Sequence, residues 1–158
     1  MNSPQNPETL AKQSLRLMAE DAEDLRILSI YLQDAVIRVG DIAWLPRAQR
    51  FAVLLNRYLW ESDCSDEDAP CARVRAGLHF DGVLRAQSTN LRRDDPEAVI
   101  ELLAMDFTPG EDGTGVVDLW LAGGGGIRLE VEYIGAALRD ISEPWPAKAR
   151  PVHDLEQG

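Results

Sequence analysis

Two runs of alternating side chains flank four consecutive glycines in the segment VVDLWLAGGGGIRLEVEYI, residues 116–134. In the second run, Ile127, Leu129, Val131 and Tyr133 occupy every other position, with a charged residue between each neighbouring two. This alternation is typical of a half-buried antiparallel strand, whose successive side chains point to opposite faces. Because glycine tolerates the backbone angles of a tight turn, we predict a β-hairpin that turns at the glycines.

The glycine run also invites comparison with a phosphate-binding loop. Such a loop joins a strand to a helix, so that backbone N–H groups and the helix dipole meet the anion. Here a strand follows the glycines, and no Lys-Ser or Lys-Thr pair closes the run. We therefore interpret the glycines as a hairpin connector, and the sequence predicts no nucleotide or other cofactor.

The longest regular alternation lies in RVRAGLHFDGVLRAQ, residues 73–87. Its apolar side chains share one predicted face, which consists of Val74, Ala76, Leu78, Phe80, Leu84 and Ala86. Its polar side chains share the other face: Arg75, His79, Asp81 and Arg85. We predict a half-buried antiparallel strand, in which Gly82 marks a bend or a bulge.

A helix is predicted over about residues 22–35. Asp21 suits the N-cap position before it. The apolar positions recur at helical spacing and are Leu25, Leu28, Leu32 and Ala35. The apolar side of this helix needs a surface to cover, and the sheet supplies one.

The segment RFAVLLNRYLW, residues 50–60, carries apolar side chains on both faces of a predicted strand. Such a strand is central in a sheet, or it lines a curled interior while another element covers its back. The helix at 22–35 is the predicted cover. Residues 46–49 begin with a proline and are predicted to form the hairpin loop that precedes this strand.

The remaining segments complete an α+β fold. Residues 14–19 alternate as a short strand, and residues 98–110 fit either a helix or a strand; the hairpin-like sequence EDGTG beyond them favours a strand. We predict an antiparallel, curled (roll or barrel-like) meander sheet of about six to seven strands against the one N-terminal helix. A flexible arm at 1–13, one domain at 14–142 and an extended tail at 143–158 are expected.

The net charge of −11 constrains the partners of this 158-residue chain. Nucleic acid and anionic membrane surfaces both attract basic proteins, so neither is a predicted partner. No apolar run reaches the roughly 20 residues of a membrane-spanning helix, and the N-terminus has no apolar signal segment. A bacterial-type cytoplasmic location is the default expectation.

Cys64 and Cys71 lie in the acidic segment ESDCSDEDAPCAR. A disulfide would close a short loop, although a reducing cytosol disfavours one. Zinc binding is poorly supported, since the spacing is not that of a zinc knuckle and only His79 and His153 are available as further ligands. We expect inert loop cysteines and no metal site.

The polar face of Arg75, His79, Asp81 and Arg85 is the best candidate cluster for a ligand. His79 and Asp81 are two residues apart, so they point the same way on a strand, where a His–Asp pair can transfer protons. The alternative is an ordinary solvated sheet face with cross-strand ion pairs. No catalytic residue is assigned.

Trp44, Trp60 and Trp145 are candidates for an interface, because tryptophan is enriched at binding hot spots. Core packing is the alternative for each of them. Trp44 and Trp60 lie near the ends of adjacent predicted strands, whereas Trp145 sits between two prolines in the tail. The tail is expected to cover the chain's own sheet or a partner subunit.

Four segments resemble a small uncharacterised protein family of alphaproteobacteria over about residues 14–154. They begin with the stretch from Leu15 to Glu61 and end with GGGGIRLEVEYIGAALRDISEPWPAKARPVHD; GLHFDGV and ELLAMDF lie between. The resemblance implies family membership, and it transfers no catalytic or binding residue because the family has no assigned activity.

Two functions remain open at the level of sequence. The first is a non-enzymatic binding or protein-interaction module, either a homodimer or a protein with another partner. The second is a small-molecule-binding protein or small enzyme that uses a pocket of the curled sheet. In that case His79, Asp81 and Arg85 would lie at the rim of the pocket.

Overall fold

The fold consists of one α-helix, ten strands and two short 3-10 helices (Pro46–Ala48 and Ala122–Gly124) within residues 15–59 and 72–146, which a computed structural model describes. The helix, α1, spans Ala22–Tyr31. The strands are β1 (Arg16–Ala19), β2 (Ala35–Leu45), β3 (Arg50–Tyr58), β4 (Ala72–Asp81), β5 (Val83–Thr89), β6 (Val99–Pro109), β7 (Gly115–Leu121), β8 (Gly126–Val131), β9 (Ala136–Asp140) and β10 (Trp145–Pro146).

All ten strands belong to one antiparallel sheet. Nine of them follow the order β1-β9-β4-β3-β2-β6-β7-β8-β5, and β10 pairs with β4 beside this path. The predicted α+β class with a single helix is confirmed for these residues. The predicted count of six to seven strands is wrong, because the long alternating runs divide at bends and because short strands join the sheet through distant pairing. A meander describes only β2-β3-β4 and β6-β7-β8.

The sheet bends sharply where one strand passes into the next. Only Gly82 separates β4 from β5, yet β4 pairs with β9 whereas β5 pairs with β8. Gly82 has a φ of 71°, and the ring of Tyr133 lies over it. The two end strands of the path, β1 and β5, do not pair with each other, so the sheet is open and the predicted barrel-like closure is not seen.

The inner face of the bent sheet and one side of α1 enclose the core. Leu25, Leu28 and Leu32 from the helical segment are each at most 1% exposed. They join the inward side chains of the sheet, among which Phe80, Leu102, Leu119, Leu129 and Leu138 are fully buried. Burying this apolar surface is the main stabilising contribution to such a fold.

Helix α1 begins where it is predicted and ends earlier. Asp21 caps it, since its side chain accepts a hydrogen bond of 2.8 Å from the backbone N–H of Asp24. Asp34 then adopts a φ of 64° and donates its backbone N–H to Leu102, which starts the pairing of β2 with β6. Ala35 is therefore a buried strand residue, and the predicted helix end at residue 35 is wrong.

The helix does not cover the back of β3. Helix α1 packs against β6 and β1, and its leucines face the core. On the outer face of β3, Leu54 is 38% exposed and Ala52 is partly exposed. The predicted role of the helix as a cover for this face is wrong, so an apolar strip of the sheet stays open.

Several local predictions are confirmed. Residues 46–49 form the β2–β3 hairpin loop, residues 99–109 form a strand, and the glycines connect β7 to β8. Tyr133 is half exposed, against expectation, because β8 ends at Val131. Leu84 is likewise 50% exposed while Val83 is buried, because the bend at Gly82 and the register shift after it interrupt the alternation, which resumes with Ala86 against the core.

The predicted terminal segments are only partly described. The arm at 1–13 and both cysteines, Cys64 and Cys71, lie outside the described residues. Of the predicted tail, Trp145–Pro146 pair with β4 as an extended strand, and residues 147–158 lie outside the description. No helix within 15–59 or 72–146 has the length and apolar character needed to cross a membrane.

Candidate functional site: a groove on the outer face of the sheet

A large concave surface of the described residues lies on the outer face of β1, β9, β4, β3 and β2. We call it the outer groove; it has a volume of about 950 Å³. Three kinds of residue form its surface: small (Ala43, Ala52, Gly77, Ala137), apolar (Met18, Leu54, Ile141) and charged or polar (Arg16, Asp41, Arg50, His79, Arg139). Five adjacent strands at 4.7–4.9 Å spacing make this face about 19 Å wide.

Small side chains form the floor of the outer groove along one row of paired residues. Ala43 pairs with Ala52, Ala52 with His79, His79 with Ala137, and Ala137 with Met18. Three of these five residues are alanines, so the row is low on both sides of its central residue. His79 rises from the centre of this row, and its side chain is 34% exposed.

The next row combines apolar and cationic side chains. Leu54 pairs with Gly77, Gly77 with Arg139, and Arg139 with Arg16. Gly77 has no side chain, and a Cβ there would meet only Leu54, at 3.9 Å. The row therefore has an apolar side chain at one end, a gap in the middle and two arginines at the other end.

A charged cluster joins His79 to the end of the outer groove. The Arg50 Nε donates to Asp81 Oδ1 at 2.8 Å, and the Arg50 Nη2 donates to Oδ2 at 3.3 Å. His79 Nε2 lies 3.5 Å from the same Asp81 Oδ2. The hydrogen bond with Asp81 raises the pKa of Arg50. Arg50 thus neutralises the carboxylate that a catalytic His–Asp pair would use.

Asp41 reaches the groove from an irregular part of β2. The register of β2 against β3 shifts between Ile37 and Ile42, which leaves extra residues on β2. Arg38 Nη2 donates to Asp41 Oδ1 at 3.0 Å, and Arg75 Nη2 donates to Oδ2 at 3.3 Å. The hydrogen bond from Arg38, together with the positive charges of both arginines, lowers the pKa of Asp41.

Three of the four predicted strand-face residues meet on this surface. His79 lies in the groove, Asp81 lies at its end, and Arg75 holds Asp41 at its side. Arg85 does not join them, because it lies beyond the bend at Gly82 and pairs with Glu130 at 3.7 Å. Any ligand role for these residues stays a prediction.

The predicted interface tryptophans are separated. Trp44 is partly buried against the core and pairs with Phe51. Trp145 pairs with Arg73, so the first part of the tail lies on the chain's own sheet. Trp60 lies outside the described residues, and its predicted proximity to Trp44 stays untested.

Sequence reasoning missed Arg16, Arg50 and Arg139 as members of the groove. Each belongs to a different strand, and only the sheet pairing brings them together. The alternation around Arg139 places it opposite the buried Leu138 and Asp140, which indicates an outward side chain. Its neighbours across the strands depend on register, which a single sequence does not encode locally.

The described residues also contain no cluster of three His, Cys, Asp or Glu side chains that could hold a metal ion. Neither a curated protein nor a solved structure matches the chain. A family model described as "Protein of unknown function (DUF2948)" matches residues 15–153, which confirms the predicted membership of a family without assigned function. The chain therefore belongs to the DUF2948 family.

Proposed function

We propose that the protein is a non-enzymatic interaction module whose outer groove binds a polypeptide segment of a partner protein. The observation that carries this proposal is an uncovered sheet face with a low floor, exposed apolar side chains and cationic residues. Met18 is 69% exposed, Ile141 50% and Leu54 38%. Exposed apolar residues that cluster around a depression with polar neighbours are typical of protein-interaction sites.

The shape of the groove favours a polypeptide over a small molecule. Small-molecule sites usually enclose 70–90% or more of the surface of their ligand. The outer groove lies instead along a sheet about 19 Å wide by strand spacing, which exceeds the 10–12 Å diameter of a helix with its side chains. One helical or extended segment can therefore lie on this floor between the apolar and the cationic side chains.

The chemistry of the lining favours binding over catalysis. None of the described residues that line the groove is Ser, Thr, Cys or Lys, so this lining supplies no hydroxyl, thiol or lysine nucleophile, and its one carboxylate, Asp41, is bound by Arg38 and Arg75. The carboxylate near His79 is already bound by Arg50 through two hydrogen bonds. Both features support a module that recognises a partner and performs no reaction on it.

A small-molecule ligand at His79 is the second candidate, and the 3.5 Å contact between His79 and Asp81 favours it. The two candidates differ in what His79→Ala removes. A small-molecule site at His79 would lose its ligand in this variant. A polypeptide spread along two rows of the sheet would lose only part of its contact area.

A photo-reactive amino acid placed at Ala52 in the full chain tests the proposed function. We expect light-induced cross-links to a distinct partner protein in the cells that naturally express the chain. The same probe at Thr108, an exposed residue of β6 outside the groove, is the matched control and should give none. Cross-links to a second copy, or equal yields at both positions, would overturn the proposal.

A further inference from the structure

Two arginines face each other directly on the edge of the outer groove. Arg16 of β1 and Arg139 of β9 are paired positions, and both side chains are exposed and line the groove. Directly opposed residues on neighbouring antiparallel strands have Cβ atoms about 4.5–5.5 Å apart, and like charges at such positions destabilise the sheet. The free protein therefore carries a local electrostatic cost here.

Three other arginines of this face are paired with carboxylates. Arg50 is paired with Asp81 at 2.8 Å, and Arg38 and Arg75 are paired with Asp41 at 3.0 Å and 3.3 Å. Within 15–59 and 72–146, neither Arg16 nor Arg139 forms an ion pair. Asp140, which follows Arg139 in sequence, points to the core and binds Arg57. The chain has 27 acidic residues and 16 basic ones, so acids are not scarce.

We infer that Arg16 and Arg139 together bind a carboxylate carried by the partner segment, a refinement that rests on the proposed function. Guanidinium groups match carboxylates through paired, charge-assisted hydrogen bonds. The adjacent gap at Gly77 lets the backbone of the segment approach the floor. Leu54 and Ile141 then contact an apolar side chain of the same segment. The partner segment is thus acidic and amphipathic.

This arrangement predicts opposite effects on stability and on binding. Replacing one arginine with glutamine removes the repulsion in the free protein, so the free energy of unfolding should rise. The same replacement removes charge-assisted hydrogen bonds to the partner, which should reduce its capture about tenfold or more. If the arginine had only a structural role, its replacement would not raise the free energy of unfolding.

The experiment compares Arg16→Gln, Arg139→Gln and the double variant in the full chain. Arg47→Gln is the matched control, because it makes the same change in net charge at the exposed tip of the β2–β3 hairpin, away from the opposed pair. Unfolding by urea is measured at low salt, where screening is weak. Partner capture is measured as the cross-link yield from the probe at Ala52.

We expect both single variants to be more stable than Arg47→Gln and to give at least about tenfold less cross-linked partner. Variants that keep the wild-type cross-link yield, or that are less stable than the control, would overturn the carboxylate contact while leaving the proposed function intact. Absence of a partner cross-link in the wild-type chain would overturn both. Cross-links to residues 1–14 of the same chain would also overturn both.

Discussion

Arg57 and Asp140 form an ion pair inside the core. Their side chains are 0% and 4% exposed, and two hydrogen bonds of 2.9 Å join them. Asp140 also accepts the backbone N–H of Leu15 at 3.1 Å, and the Arg57 guanidinium lies 5.7 Å from the centre of the Tyr31 ring. The pair therefore ties β3, β9, the start of β1 and the end of α1 to one another.

Asp140→Ala should lower the free energy of unfolding by about 3–5 kcal/mol, because it removes the carboxylate that accepts two hydrogen bonds from a buried guanidinium. Urea titration at neutral pH measures the loss. Asp118→Ala is the control: Asp118 binds Arg128, whose side chain is 56% exposed and becomes hydrated when the carboxylate is removed, so the loss should be much smaller. Equal losses in the two variants would show that the buried pair has no special role.

Asp41 should make stability depend on pH in the acid range. The pKa of Asp41 is lowered in the folded state. Its contribution to stability is therefore present above the pKa of the unfolded chain, about 3.9, and is lost as pH falls through the pKa of the folded state. Asp41→Asn should therefore destabilise the protein at pH about 7 and lose this effect below about 4. Urea titrations from pH about 7 down to about 2, which includes the range in which the Asp41 carboxyl becomes protonated, measure this change. A difference from wild type that stays constant with pH would contradict the prediction.

At the scale of elements, the junction of β4 and β5 depends on Gly82. Its positive φ disfavours any L-side chain, and a Cβ would lie 2.7 Å from the Tyr133 ring. Gly123, in the β7–β8 turn, has a φ of 85°, but a Cβ added there would meet no atom within 4 Å. Gly82 is therefore constrained both by its backbone angle and by the Tyr133 ring, whereas Gly123 is constrained by its backbone angle alone.

Gly82→Ala should cost more stability than Gly123→Ala, for which the left-handed backbone alone costs roughly 1–2 kcal/mol. The difference reports the displacement of the Tyr133 ring, and thermal unfolding of both variants measures it. In a Tyr133→Ala background the two glycine substitutions should become equally costly. If the difference persists without the ring, the contact with Tyr133 is not its cause.

Elements with a regular period could be predicted from the sequence, and their interruptions could not. The β7–β8 hairpin and the N-terminus of α1 follow from the glycines and from Asp21. The end of α1 does not follow from local sequence, because the competing pairing of Ala35 with Leu102 involves residues 67 positions apart. The interrupted alternation after Gly82 likewise reflects a bend, which glycine permits because it has no side chain.

The candidate site was predictable only in part for the same reason. His79 and Asp81 share a strand, so their common face follows from a spacing of two. Arg16 and Arg139 lie on strands more than 100 residues apart in sequence and meet only through the β1–β9 register. Such pairing arises from the packing of the whole sheet, and local sequence patterns do not specify it.

At the scale of the whole molecule, strands inside the sheet should open less often than those at its ends. β3 and β4 have hydrogen-bonded neighbours on both sides, whereas β1, among the strands of 15–59 and 72–146, pairs only with β9. Amide hydrogen exchange should therefore be slowest for the backbone N–H groups of β3 and β4 and faster for those of β1. Peptide-resolved exchange under native conditions measures this order. Equal protection of β1 and β3 would mean that the sheet opens as one unit.

The pairing of β1 with β9 sets an order for assembly during synthesis. Residues 16–19 leave the ribosome early but must wait for residues 136–139 before they find their partner strand. Arg57 waits in the same way for Asp140. Contacts between distant parts of a chain form slowly because a long loop must close first. A nascent chain that stops short of residue 136 lacks both the partner strand of β1 and the Asp140 carboxylate, and such incomplete chains are targets for chaperones and proteases.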